Sequence, residues 1–158
     1  MSKSILFLCT ANSCRSILSE AVFNHYAGPD WRAYSAGSQP KGMVNTQALT
    51  TLQRHHISTD GLYSKGVDEL AALKPDIVIT VCDQAAGEAC PVFFGPAMRS
   101  HWGLADPSEQ HGDSTEQDKA FEATMARILT RTKAFLALPF DELDTSSLRS
   151  ELDRIGSL

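Results

Sequence analysis

The segment Cys9-Thr-Ala-Asn-Ser-Cys-Arg15-Ser16 sets a thiol and a guanidinium six positions apart. A short apolar run precedes it and a stretch with helical spacing follows, so it reads as a strand–loop–helix junction. A loop of this length can curl until successive backbone N–H groups point inward and cradle a tetrahedral oxyanion. The helix that follows adds its positive end and unsatisfied N–H groups. Arg15 can close the cradle with a planar, permanently charged fork. The same field favours the thiolate of Cys9, and Ser16 is placed to donate its hydroxyl to the sulfur. A thiolate facing the central atom of a bound oxyanion is a nucleophile with its target in position. A bare Cys-x5-Arg pattern more often means a buried cysteine and an exposed helix arginine. The strand before, the helix after and Ser16 favour the cradle. Thr10, Ala11, Asn12, Ser13, Cys14, Arg15 and Ser16 are therefore the candidate anion-binding residues. Cys14 itself reads as packing, because free cysteine is among the most often buried residue types.

Two further cysteines, Cys82 and Cys90, lie eight positions apart. Cys-x7-Cys is poor zinc spacing, and His101 or His111 adds no second ligand pair, so no metal is expected. His55 and His56 read as surface residues. Packing is a credible role for Cys82 and a weaker one for Cys90, which falls in a stretch of small residues. Asp106 precedes Pro107, which favours an extended conformation for the aspartate. The pair suits an ordinary turn as well as a carboxyl group that protonates a departing oxygen.

The elements that must position these groups alternate. Ser4–Cys9 and Trp31–Ser35 read as strands, Asp76–Cys82 as the clearest strand, and His101-Trp102 as a fourth. Ser16–Tyr26, Asn45–His55, Val67–Leu73 and Thr115–Leu138 read as helices, the first stopped by Gly28-Pro29. Asp83–Ala97 reads as a mobile loop. The expectation is an α/β fold: one domain with a four-stranded parallel sheet and helices on both faces. Ligands bind such sheets beyond the carboxyl ends of the strands, where Cys9, Cys82 and Asp106 all fall. Residues 1–138 form this domain, and 139–158 a C-terminal helical extension with weak spacing (Leu143, Leu148, Leu152, Ile155) and no evident chemistry.

The chain has 158 residues, 14 basic and 19 acidic side chains and a formal charge of −5. A mildly acidic chain without Lys/Arg blocks has no footprint for nucleic acid or an anionic membrane surface. An anion must then be held by local N–H groups and one guanidinium against the global field. No stretch reaches the apolar length of a membrane span, and Ile5-Leu6-Phe7-Leu8 is too short for a signal-peptide core. The chain reads as cytoplasmic, so its four cysteines are mostly reduced and any disulfide is transient or catalytic.

The segment Ile5 to Ala21 resembles the phosphate-binding loop of the low-molecular-weight tyrosine phosphatase family. It is closer still to that family's arsenate reductase branch, whose loop typically reads Cys-Thr-Gly-Asn-Ser-Cys-Arg-Ser; Ala11 takes the glycine's place. The likeness continues through Ser35-Ala-Gly37, Thr80-Val-Cys82, Cys90-Pro91 and His101-Trp-Gly103-x-x-Asp106-Pro107. The resemblance implies a phosphatase-like fold and reduction of arsenate, with phosphate or sulfate as competing anions. It implies that Cys9 attacks arsenate, that Cys82 attacks the Cys9–arsenic adduct, and that Cys90 takes over the disulfide and presents it to thioredoxin. Asn12 then braces the loop, Ser16 holds the thiolate and Asp106 is the general acid. Some relatives bind potassium beside the loop; Asn12 and Ser35 match that site, with Glu20 nearby, but Lys65 stands at its aspartate, so no potassium requirement and no cofactor are expected. Ser108 follows Asp106-Pro107 where the phosphatases usually carry tyrosine, which counts against phosphotyrosine as substrate. A phosphatase acting through a Cys9 phosphoenzyme remains the first alternative, and a redox- or arsenic-sensing module the second. Glutathione with glutaredoxin remains open as reductant.

Overall fold

The computed structural model describes residues 3–70, 72–82, 97–109 and 112–158. Four parallel strands, β1 (Lys3–Cys9), β2 (Trp31–Gly37), β3 (Ile77–Thr80) and β4 (Met98–His101), form one sheet in the order β2-β1-β3-β4. The α-helices are α1 (Arg15–Tyr26), α2 (Thr46–Arg54), α3 (Ser114–Leu136) and α4 (Thr145–Gly156). None of the described helices is long and apolar enough to cross a membrane.

β1 is central, and Ile5 through Cys9 are all buried. That explains its unbroken apolar run, since a strand covered on both faces has no polar side to present. Ile5 and Phe7 face α1 and α3. Phe7 meets Phe23 and Trp102 at 6.0 and 6.2 Å between ring centroids, and Phe135 meets Phe23, Trp31 and Phe140. Leu6 and Leu8 pack with Ala36 and Val78 on the opposite face, against Val67 and Leu70 from a short 3-10 turn (Val67–Leu70). The stretch expected as a helix from Val67 is this turn over its described part.

The fourth strand lies earlier than His101-Trp102: β4 ends at His101, and Trp102 leaves it with its N–H still bonded to the Thr80 carbonyl. The tail is more than weakly patterned. α4 is capped by Asp144, buries Leu152 and Ile155 completely in the main core, and accepts the Trp102 indole N–H at the Leu152 carbonyl, 2.9 Å away. The chain runs from β1 to β2 on one side, then crosses to β3 on the other. The C-terminal ends of β1 and β3 therefore flank the point where strand order reverses, which is where open sheets leave a crevice.

Candidate active site

Cys9 is the last residue of β1 and Arg15 the first of α1, so the intervening loop sits at that reversal point. The carbonyls of Thr10, Ala11 and Ser13 accept from the backbone N–H groups of Gln39 (2.9 Å), Lys41 (3.0 Å) and Asn45 (2.8 Å). In a trans peptide the next N–H points opposite to the carbonyl. The N–H groups of Ala11, Asn12 and Cys14 are thus turned away from the 39–45 segment, toward the loop's concave side, which makes an anion-binding nest. No side chain caps α1 and no acid lies in its first turn. Its positive end therefore faces the same concavity unopposed.

Asn12 makes the bend. Its φ is +46°, the left-handed region that asparagine tolerates, and it is fully buried. Its amide donates to Ser16 Oγ (2.7 Å) and Ser35 Oγ (3.0 Å), and its carbonyl oxygen accepts from the Lys65 N–H (2.9 Å). Ala11 is not in the left-handed region, so alanine fits without strain where the related loop has glycine. Ser35 donates to Glu20, and the buried Lys65 ammonium lies 3.5 Å from the same Glu20 oxygen. It also donates to the Tyr63 carbonyl (3.0 Å). The Lys65 ammonium therefore stands beside the brace of the loop, next to Glu20 and the Tyr63 carbonyl.

The Arg15 guanidinium donates through Nη1 to the Leu104 carbonyl (3.1 Å) and reaches Asp106 through Nη2 (3.5 Å). Those contacts occupy two of its five N–H protons and leave the rest for an anion. Asp106 is itself held, its other oxygen accepting both the backbone N–H (2.9 Å) and the hydroxyl (2.7 Å) of Ser108. The serine that stands in place of tyrosine is therefore a clamp on the aspartate.

Cys9, Cys14 and Cys82 are buried thiols. Cys9 hydrogen-bonds Cys82 across the end of the sheet, and Cys82 also lies 3.6 Å from Thr10 Oγ1. This contact and burial push the Cys9 thiol well up, while Arg15 and the Thr10 N–H pull it down. Lowering of the thiol, expected from the cradle alone, is outweighed because the Cys82 contact and burial both disfavour the thiolate. The Ser16 hydroxyl oxygen accepts from Asn12, and Cys82 and the Thr10 N–H hydrogen-bond the Cys9 sulfur. Burial, then Asp106, pushes Cys14 up to about 12, which fits a packing residue.

The structure thus gathers Cys9, the loop 10–16, Arg15, Cys82 and Asp106 at one end of the sheet. Cys90 lies outside the described residues, as does the expected loop Asp83–Ala97 apart from Ala97. Among the described residues no group of three or more His, Cys, Asp or Glu could hold a metal. His55 pairs with Glu122 at 2.7 Å, and His101 Nδ1 meets Thr80 Oγ1 at 2.7 Å. Sequence reasoning missed the Leu104 carbonyl, Ser64 (its hydroxyl donates to the Ala11 carbonyl, 3.2 Å) and the clamping role of Ser108. No residue-type signal marks a backbone carbonyl or a lone serine.

A buried thiol at the carboxyl end of a central parallel strand, with an anion nest and an arginine at the next helix, has the layout of a phosphatase-like scaffold. The chain belongs to the low molecular weight phosphotyrosine protein phosphatase family, whose pattern it matches over residues 4–150. It is 36% identical to an arsenate reductase of Halalkalibacterium halodurans over 133 residues, 84% of this chain and 94% of that one. The fold matches an arsenate reductase solved in its phosphate-binding state, with a TM-score of 0.72 and 23% identity over 85% of this chain and 97% of that chain. A thioredoxin-dependent arsenate reductase of Corynebacterium glutamicum matches with a TM-score of 0.62 and 25% identity, over 80% of this chain and 58% of that chain.

Proposed function

We propose that the protein reduces arsenate to arsenite in the cytoplasm, with Cys9 as nucleophile, Cys82 and Cys90 as relay thiols and thioredoxin as reductant. The observation that carries this reading is the hydrogen-bond contact between Cys9 and Cys82 beside the anion nest. A phosphoester hydrolase clears its thiol adduct with water, whereas a reductase needs a second sulfur within reach of the first. The relatives named arsenate reductase, and the thioredoxin-dependent one among the structural neighbours, support the same assignment.

Arsenate, or phosphate or sulfate in competition with it, sits in the nest against Arg15. The Cys9 thiolate attacks arsenic, and one oxygen leaves as water with a proton from Asp106. Cys82 then attacks the Cys9 sulfur; the sulfur–arsenic bond breaks, its electron pair stays on arsenic, and arsenite leaves a Cys9–Cys82 disulfide. Cys90 attacks Cys82 and frees the Cys9 thiolate. The thioredoxin dithiol reduces the resulting Cys82–Cys90 bond.

The test is arsenate-dependent NADPH oxidation with thioredoxin and its reductase, run beside glutathione with glutaredoxin. Cys9→Ser should abolish turnover, and Cys82→Ser should stop arsenite release while leaving any weak phosphatase activity. Cys90→Ser should release about one arsenite per enzyme and stall as a Cys9–Cys82 disulfide. Full thioredoxin-coupled turnover by Cys90→Ser would replace the three-thiol relay with a two-thiol one.

A further inference from the structure

Arg131 lies on α3, distant in sequence from the nest, and its side chain is almost entirely buried. Nη1 donates to the carbonyls of Trp102 (2.9 Å) and Gly103 (3.0 Å), and Nη2 to the carbonyl of Gly156 (2.9 Å) at the end of α4. Among the described residues it has no carboxylate partner, and Nε has no hydrogen bond. Burying an unpaired guanidinium is costly, so its three backbone contacts call for an account.

Trp102 and Gly103 are the first residues past β4, and the next residue supplies the Leu104 carbonyl that receives Arg15. Asp106 follows two positions later and faces the other Nη of Arg15. The same segment is gripped from β3, where Trp102 and Leu104 donate to the carbonyls of Thr80 (2.8 Å) and Val81 (2.9 Å). It is gripped from α4 as well: the Trp102 indole bonds the Leu152 carbonyl. Gly156 approaches so closely that a Cβ there would lie 2.6 Å from the His101 oxygen and 2.7 Å from Trp102 Cδ1. Segment 102–104 is thus fixed on three sides, and what it offers the site is the Leu104 carbonyl and, beyond it, Asp106.

We propose that Arg131 and α4 are positioning elements of the active site: by clamping Trp102 and Gly103 they hold the Leu104 carbonyl and Asp106, which orient Arg15 toward the bound anion. The inference rests on the anion-nest reading above. It gives the C-terminal helix a task in catalysis without contact with the substrate.

The experiment compares full-length Arg131→Met and Arg131→Lys in arsenate reduction with thioredoxin, each alone and with Arg15→Lys, with thermal unfolding followed in parallel. A displaced Arg15 should lower kcat/KM for arsenate at least about tenfold in Arg131→Met, with partial recovery in Arg131→Lys. In the Arg15→Lys background the same change should cost less than it does beside Arg15, because the ammonium no longer depends on the Leu104–Asp106 pair and only the share lost through Asp106 as proton donor remains. Unchanged kinetics in folded Arg131→Met, or an equal loss in both backgrounds, overturns the proposal. If Arg131→Met does not fold, Trp102→Phe takes its place: it removes the indole bond to Leu152 and should show the same non-additive loss, and unchanged or additive kinetics there overturn the proposal equally. Failure of the functional reading looks different, since the unsubstituted protein would then show no arsenate-dependent turnover. The same variants are in that case read by protection of Cys9 from iodoacetamide with inorganic phosphate, where the nest reading requires protection in the unsubstituted protein and weaker protection in Arg131→Met.

Discussion

Gly37→Ala probes the nest from outside. Gly37 ends β2 beside Cys9 in the sheet register, and its N–H donates to the Lys65 carbonyl at 2.9 Å. A Cβ there would lie 2.5 Å from the Thr10 oxygen and 3.0 Å from both Cβ and N of Asn12. Ordinary contact would require the Thr10 carbonyl to retreat by about 1 Å. It has little freedom to do so, because it accepts from the Gln39 N–H at 2.9 Å and Asn12 is buried and hydrogen-bonded to three neighbours, Ser16, Ser35 and Lys65. The other relief is for β2 to move, at the expense of the Gly37–Lys65 bond. Overpacking of this kind costs about 1–3 kcal/mol of stability. A nest displaced by about 1 Å loses about a hundredfold in kcat/KM, or roughly 2.7 kcal/mol of transition-state stabilisation. Thioredoxin-coupled arsenate kinetics measure the second effect and thermal unfolding the first. Gly28→Ala is the control, since a Cβ there meets nothing within 4 Å. An active Gly37→Ala enzyme with kinetics within about twofold of the unsubstituted protein would refute the argument that this contact sets the nest.

Arg15→Lys should weaken phosphate competition and slow the first step together, because a point charge replaces a fork; unchanged inhibition constants and rates would mean the nest closes without it. Cys14, with its thiol near 12, should stay protonated and unalkylated by iodoacetamide at pH 8, as peptide mass mapping can check. The same upward shift from 9.0 favours the folded state below pH 9 and is lost as pH rises toward about 12, so alkaline unfolding should be less steep in Cys14→Ala. Lys65→Met leaves the partly buried Glu20 without its cation and should cost about 2–3 kcal/mol, seen as a fall of several degrees in Tm. In the unsubstituted protein, equal rates in sodium and potassium salts are expected, and a strong potassium dependence would contradict the lysine's role.

Much of this arrangement was legible because period and punctuation carry it. The buried run before Cys9, the stop at Gly28-Pro29 and the isolated apolar strand before Cys82 each follow from local side-chain chemistry, and β1, α1 and β3 lie close to where those signals put them. The loop's residue types announced an anion nest because few other uses need a thiol, an asparagine and an arginine at that spacing. What was illegible is held by backbone. The carbonyls of Leu104, Trp102 and Gly103 have no residue-type signature, yet they receive the two buried or half-buried guanidiniums that shape the site. Nor does one serine betray that it donates twice to Asp106. α4 is hard to read for a related reason: its polar residues outnumber Leu152 and Ile155, and only Trp102, fifty positions earlier in the chain, shows what those two residues cover.

The meeting of Cys9 and Cys82 is the clearest case in which topology, and no local pattern, makes chemistry. Half the chain separates them, and each alone reads as a small buried residue at a strand end. The order β2-β1-β3-β4 makes β1 and β3 neighbours, with Leu8 opposite Thr80 in register and the Val81 N–H bonded to the Leu8 carbonyl. Cys9 directly follows Leu8 at the end of β1, Cys82 stands two residues beyond Thr80 past the end of β3, and the two sulfurs come into contact. A hydrolase could use the same nest, arginine and aspartate with any residue at position 82. The thiol of Cys82 stands in contact with Cys9 at the position where strand order already opens a crevice. In the proposed relay, a thiol at the end of the neighbouring strand is the first addition that reduction makes to a hydrolase's anion site, and Cys90 is the second.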